Sequence, residues 1–402
     1  MSGVAGQQFR GLAIAKESAW LTAGAYVVPR GLENIQSDAG EEYIPRDAIH
    51  FNSVGDRYAG DPGEQKTTLS YEVPIHSGTY TDSKDILEAA FGSEDGISNI
   101  AIGAGPNNES QVTYVGGTPS KIIWVNCSDG IVRLVPIKSA AAGTAIFAVK
   151  LPVAVTPTAI DNCNERSGGS WSYGLGTSAS TFTADLDRRG RPNEIQYRYK
   201  GLGLQSLGLM FELRKRLALM PAFRGGTFQR NPAGFVNVTD PDKFSLPFIG
   251  FLADVAYQNL AAPAASGKLA IKSISVELAP SILDETGTPG LSGTTNIGSP
   301  LLGFTREPGF SSLIKMVVTY PSTVYETEWL AGTARTLFLA FFPGVPGAAQ
   351  SAAPRFALWF PRVLHAAPPK EVAVDNHIGM ELTLQIERDA NLERAYAGFT
   401  AS

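Results

Sequence analysis

Residues Arg189–Phe223 constrain the fold of this chain more than any other stretch. Ile195, Tyr197 and Tyr199 alternate with Glu194, Gln196, Arg198 and Lys200. Further on, Leu207, Leu209, Phe211 and Leu213 alternate with Ser206, Gly208, Met210, Glu212 and Arg214. A period of two sends successive side chains to opposite faces, so each run reads as a strand with one packed face and one face open to water. A helix through Leu207–Leu219 is the competing reading. It would put Leu207 and Phe211 on one face, but Gly208 lies between them and the next apolar residues leave that face. Long two-faced strands with no catalytic equipment beside them point to a chain that works as a wall.

The 402 residues suffice for one large domain with an insertion, or for two domains. With 42 Gly, 26 Pro and only 18% charged residues, the composition suits many short strands and shaped turns, and excludes a helical bundle or a disordered chain. A net charge of -5 is unsuited to holding nucleic acid by counterion release. The same sign suits a surface that nucleic acid must pass without sticking. Cys127 and Cys163 do not make a disulfide framework and read as unpaired thiols in a reducing cytoplasm. No signal peptide and no membrane helix are expected, because no basic segment precedes an apolar one and no apolar run reaches about 18–20 residues.

Along the chain, Phe9–Ala15 reads as a short strand and 31–63 as a polar, turn-rich arm. Thr67–Ile75 alternates as a strand. A helix follows, capped by Asp82, with Ile86, Leu87, Ala90 and Phe91 as its apolar stripe and Gly92 at its end. Residues 93–120 read as loop. Ile122–Val125 and Ile131–Val135 form a hairpin turned at Asp129-Gly130. Ala145–Val155 adds strand material, and Arg166–Ser170 reads as a boundary. Strands are then expected at Thr181–Leu186, in the opening stretch, and at Leu269–Leu278 with a bulge near Lys272–Ser273, where the apolar parity changes. Ser281–Pro300 reads as loop and Leu313–Tyr320 as strand. Thr323–Ala331 reads as a second helix, with Thr323 and Glu326 as a capping box and Gly332 closing it. Thr336–Phe342, Arg355–Val363 and Met380–Glu387 complete the strands.

A search for chemistry finds no constellation. His50, His76, His365 and His377 form no metal-ligand or metalloprotease spacing. Gly201 and Gly203 begin a dinucleotide-type fingerprint, but Ser206 stands in the third glycine's place and no helix follows. Glu41-Glu42, Asp185/Asp187 and Glu326/Glu328 pair carboxylates, which general acid–base work could use; solvated acidic faces are the plainer reading. Arg214-Lys215-Arg216 has aromatic neighbours in Phe211 and Phe223, as a nucleic-acid patch would, but a solvated strand end or subunit contact suits the acidic chain better. No catalytic, cofactor-binding or metal residue is assigned, and no enzyme activity is expected.

The order of these features resembles the tail tube (major tail) proteins of long-tailed, non-contractile bacteriophages, the siphophages. Glu17, Trp20 and Thr22 resemble that family's acid, aromatic and Thr segment. A long polar loop, a strand and the helix ending in Phe91-Gly92 follow. Tyr197–Phe211, Ser273–Leu278, Phe356–Val363 and Met380–Asp389 resemble its later strands. The resemblance spans residues 9–100 and 171–398; the stretch 111–170 has no counterpart. It implies a mainly β fold, with two packed antiparallel sheets forming a β-sandwich or partial barrel flanked by one or two α-helices. Residues 1–110 and 171–402 would form the tube domain, with 31–63 as an extended loop or arm, and 111–170 a small inserted β module, outside as decoration or brace.

The function the resemblance implies is a structural virion protein that self-assembles into stacked rings, hexameric or trimeric, as a conduit for double-stranded DNA during ejection. Its partners would be further copies of itself, a tape measure protein inside the tube, tail terminator and distal tail or tip proteins at the ends, and the passing DNA, with no membrane insertion and no cofactor. It would be made in the host bacterial cytoplasm and reside in the phage tail. Another β-rich virion component, a capsid or decoration protein, is the alternative; an unrelated β-fold binding module or enzyme is a third class.

Overall fold

The computed structural model describes residues 8–44, 61–92, 94–95, 98–173, 179–189, 195–212, 215–236, 249, 251–263, 269–286, 301–319, 322–342, 354–374, 377–388 and 395–401. The first part of the chain gives β1 (Gln8–Ala19), β2 (Thr22–Ala23), β3 (Glu33–Ile44), β4 (Asp61–Pro74) and α1 (Thr79–Phe91). Next come β5 (Ile100–Ile102), β6 (Gln111–Gly116), β7 (Ile122–Cys127), β8 (Val132–Ala141), β9 (Thr144–Phe147) and β10 (Pro157–Asn162). Then follow β11 (Gly169–Ser172), β12 (Thr181–Arg189), β13 (Ile195–Glu212), β14 (Ala218–Arg224), β15 (Thr227–Arg230), β16 (Phe251–Gln258), β17 (Ile271–Thr286) and β18 (Leu301–Val318). The last part gives α2 (Thr323–Ala331), β19 (Arg335–Phe342), β20 (Arg355–His365), β21 (Lys370–Val374), β22 (His377–Ile386) and β23 (Tyr396–Thr400). Among the described residues the fold is mainly β, 61% strand and 9% helix, with antiparallel sheets and a nearly closed, barrel-like main sheet.

The opening stretch is not two strands. It is one 18-residue strand, β13, followed by β14. Its burial changes phase twice: Tyr199 is buried, then Leu202 and Leu204, then Leu207, Leu209 and Phe211. Gly201, at φ +67, makes the first change. β13 is paired on both edges, by β12 and then β17 on one and by β15 and then β14 on the other. From β17 the sheet continues through β18 and β22 to β20, which pairs with β19 on one edge and with β22 and β23 on the other. The inner faces of these strands and the apolar stripe of α1 (Ile86, Leu87, Ala90 and Phe91) share one core.

The 31–63 segment is not loop throughout: β3 pairs with β4 from Glu33↔Glu72 out to Ile44↔Asp61. Its polar composition hid a strand that, among the described residues, pairs on one side only. Residues 45–60 lie outside the described residues. Within the expected loop 93–120, β5 and β6 form strands of the second sheet. β17 runs past Leu278 to Thr286 and pairs with β18 back to Leu301, so the loop expected from Ser281 begins later. The expected bulge is present between Ile271 and Ser273.

The second sheet, β10-β7-β8-β9-β6-β5, spans the extra stretch and encloses its own core of Ile123, Val125, Val135, Ile137 and Phe147. Ile122, Trp124 and Leu134 pack instead against Phe338, Ala357, Trp359 and Tyr396 of the main sheet. Arg355 Nε donates to Val132 O at 3.1 Å and Lys138 Nζ to Leu260 O at 3.0 Å across this contact. Cys127 and Cys163 are both buried free thiols; they flank opposite ends of the β7–β10 pairing.

Two helix caps differ from expectation. α1 starts at Thr79 with Gly78 at the N-cap, so Asp82 sits inside the first turn. Its carboxylate is engaged elsewhere: Arg30 donates from Nε at 2.7 Å and Nη2 at 3.0 Å, and His76 Nε2 lies 3.3 Å away. Ser322, not Thr323, caps α2, accepting from Val324 N; Gly332 closes it in the left-handed conformation as expected.

Burial pushes the Asp82 pKa up, but bonds from His76 and Arg30 outweigh it and hold the carboxyl below its ordinary value. A depressed folded pKa gives stability that is fully present above the unfolded value of about 3.9 and is lost as pH falls through the folded one. Asp82→Asn should therefore lower stability at neutral pH by about 3–5 kcal/mol, as removal of a partner from a buried ion pair does. In urea titrations the gap to the parent should narrow below pH 4. An equal gap at both pH values would contradict the assignment.

Candidate functional site

Five adjacent strands, β14, β13, β17, β18 and β22, present one face inward and the other to solvent. Leu219, Leu207, Leu209, Ile274, Val276, Ile314, Met316, Leu382 and Leu384 are buried. On the other parity stand Met220, Ser206, Met210, Ser275, Glu277, Leu313, Lys315, Thr383 and Gln385, all exposed or half-exposed. The register aligns them in rows: Gly208 faces Met220 and Glu277, Met210 faces Ser275, and Lys315 lies between Ser275 and Thr383. Met210, Met220 and Leu313 are 41%, 39% and 38% exposed, the first two diagonal to each other across β13 and β14 and Leu313 beyond Glu277. This is the wall that the alternation of β13 announces, extended across its neighbours.

The polar face expected of β13 itself is only partly open. Ser206 and Glu212 belong to it; Glu194 and Arg214 lie outside the described residues. Arg198 does not belong to it. Its guanidinium bonds Asp185 in a fork, Nε to Oδ1 at 2.6 Å and Nη2 to Oδ2 at 2.7 Å. It also donates to the carbonyls of Ala233 and Gly234. Asp185 accepts from Val236 N at 3.0 Å, so the pair pins the chain segment after β15 onto β12 and β13. Burial and the Asp185 charge push the phenol of nearby Tyr26 up to about 12.

At the phase change of β13, Glu17 collects four donors. Thr181 Oγ1 and Thr183 Oγ1 donate at 2.7 and 2.8 Å, Gly201 N at 2.8 Å and Leu21 N at 3.0 Å. A side chain on Gly201 would stand 2.7 Å from the Trp20 ring, and one on Gly203 2.8 Å from Phe304; Trp20 and Phe304 meet edge to face at 6.2 Å. The two glycines thus serve close packing, not phosphate binding. Glu17 and Trp20 work as a clasp that holds β1, β12 and β13 together where β13 is least regular.

The paired carboxylates separate on inspection. Asp185 and Asp187 are both fully buried, so they are not a solvated acidic face. Glu326 is exposed, whereas Glu328 is buried and accepts from Arg335 and from Tyr257 Oη at 2.9 Å. Glu41-Glu42 fall in β3. His76 accepts from Gly78 N at Nδ1 and faces Asp82. His365 lies 3.0 Å from Tyr257 Oη, and burial pushes its pKa down. His377 opens β22, and His50 lies outside the described residues. Lys215 pairs with Glu212 at 2.5 Å and is largely solvated, as a strand end would be; Arg214 lies outside the described residues. Among the described residues no group of three or more His, Cys, Asp or Glu could hold a metal ion, and no helix is long and apolar enough to cross a membrane.

Sequence reasoning missed the Arg198–Asp185 and Arg30–Asp82 pairs. The first follows only from the register of β12 against β13, the second only from tertiary packing. No model of a known protein family matches the sequence, and no curated protein does.

Gly201→Ala should lose about 1–2 kcal/mol from the left-handed backbone alone, with a further loss from displacing Trp20. Urea unfolding followed by tryptophan fluorescence measures both. A variant as stable as the parent with an unchanged emission maximum would remove the clasp from the account.

Proposed function

We propose that this chain is a structural subunit that assembles into a wall, and that the wall is the tail tube of a long-tailed, non-contractile bacteriophage. One observation carries the reading: the open face continuous over β14, β13, β17, β18 and β22, polar in most rows and backed by a sealed apolar core. A surface of this kind exposes little contiguous apolar area, so it needs no covering partner. Glu277 and Glu381 on it outnumber Lys315, a balance that disfavours phosphate adhesion and suits a lumen for DNA.

Ring closure would use strand edges. Among the described residues β3, β16 and β21 each pair with one neighbour only, β4, β19 and β22 respectively. Such edges invite pairing with another copy unless something blocks them. The distal parts of β3/β4 and β17/β18 are two-stranded beyond Thr68 and Leu278, where their flanking partners stop. The distal part of β3/β4 would reach a neighbouring subunit or ring; that of β17/β18 folds back on its own subunit at its base, with Phe304 on Trp20 and Ile282 O accepting from Arg224. In this reading the β5–β10 sheet, packed on β19, β20 and β23, lies away from the open face and braces the exterior.

Negative-stain electron microscopy of the purified chain at high concentration tests the proposal. Hollow tubes of stacked rings are the expected result, promoted by tail-tip components. Deleting 45–60, between the paired arms, should leave the unfolding transition intact and shorten or abolish the tubes. Persistently monomeric protein after nucleation would overturn the reading, and closed shells would favour a capsid component instead.

A further inference from the structure

Few side chains hold helix α2 to the main sheet. Only Tyr325 and Glu328 of the helix are buried, and both converge on Tyr257 of β16. The Tyr325 ring meets the Tyr257 ring edge to face at 6.2 Å. Glu328 Oε2 accepts from Tyr257 Oη at 2.9 Å, and its Oε1 accepts from Nε and Nη2 of Arg335, at the start of β19, at 3.0 and 2.5 Å. The last member is His365, at the end of β20. Its Nε2 stands 3.0 Å from Tyr257 Oη, and its side chain is 1% exposed.

The proton positions follow from what each group can do. An ionised carboxylate only accepts, so the Tyr257 hydroxyl proton goes to Glu328. Tyr257 Oη then accepts from His365, which must carry its proton on Nε2 and leave Nδ1 bare. Nδ1 is buried and has no partner among the described residues. A second proton on the ring would therefore make a buried N–H without an acceptor. It would also add a positive charge where the carboxylate in reach is already engaged. Glu328 Oε2 lies 3.8 Å from His365 Nε2 and takes the Tyr257 proton, while Arg335 holds its other oxygen. Around the cluster, Arg335 lines a cleft with Arg362 and Arg388, Glu387 is bonded to Arg362, and β22 sets Leu384 opposite His365.

We propose that this cluster is an acid-released latch, in which protonation of His365 destabilises the closed arrangement and frees α2 from the sheet. Water satisfies the new N–H and charge once the helix lifts. Burial pushes the His365 pKa down, and Glu328 offsets this only in part. With the folded value depressed, the latch is fully closed above the unfolded histidine value of about 6.5 and is lost as pH falls through the folded one. The inference does not rest on the tube reading. Among the described residues β16 is paired on one side only, so the helix is released beside a sheet edge.

Hydrogen–deuterium exchange of the full chain at pH 7.5 and 5.5, each rate normalised to the unstructured rate at that pH, tests it. Protection of the α2 amides should fall by up to about ten-fold, the limit for uptake of one proton over a pH unit below 6.5. His365→Gln keeps a neutral N–H donor and takes up no proton, so its α2 protection should be the same at both pH values. Should that variant fail to fold, the His365 Cε1 proton resonance of the parent carries the test: its midpoint should lie below 6.5 and coincide with the loss of α2 protection. Equal α2 protection at both pH values in the parent, the same loss in parent and variant, or a midpoint at or above 6.5 would overturn the proposal.

Discussion

Strand β13 is the element on which the rest depends. It is hydrogen-bonded on both edges, to β12 and β17 on one side and β15 and β14 on the other. Leu207, Leu209 and Phe211 beneath it are buried among β14, β17, β19 and α1. A one-residue slip would send these three to water and bring Ser206, Gly208 and Met210 to the core. The register of β13 therefore fixes which side of five strands is sealed and which is open.

Such a strand is long for a twisted sheet, and it accommodates the twist at Gly201. The cost is a local irregularity that leaves backbone N–H groups to be satisfied by side chains. Glu17 meets that need for Gly201, and it also accepts from the Leu21 N–H in the turn between β1 and β2. The other buried charges are treated in the same way. Asp82 and Asp185 each face an arginine fork plus a backbone N–H, and Glu328 an arginine and a tyrosine. A buried carboxylate left alone would be costly, and one paired and hydrogen-bonded holds its neighbours in one arrangement. These clusters explain carboxylate and histidine positions that could otherwise be mistaken for chemistry.

The parts of the fold legible in the sequence are those where one local rule decides. The α1 stripe of Ile86, Leu87, Ala90 and Phe91, the Asp129-Gly130 turn, the bulge after Ile271 and the span of α2 all follow from periodicity or turn chemistry. The parts that were not legible depend on partners distant in sequence. β3 looks like a loop because its polar residues become strand only against β4. Asp82 looks like a cap because nothing local reveals Arg30, 52 residues away. Arg198 looks solvent-facing because alternation assigns a side of the strand, and the segment that covers that side arrives from beyond β15. The open face was legible on β13 alone; its extension over four neighbours required the register.

The claim that β13 is the doubly paired spine of this wall is tested most directly by hydrogen–deuterium exchange of the native chain. Amides within Leu207–Phe211 should be among the slowest to exchange, opening only with the whole fold, while those of β16, paired on one side among the described residues, should exchange sooner. Exchange across Leu207–Phe211 as fast as that across β16 would contradict the account.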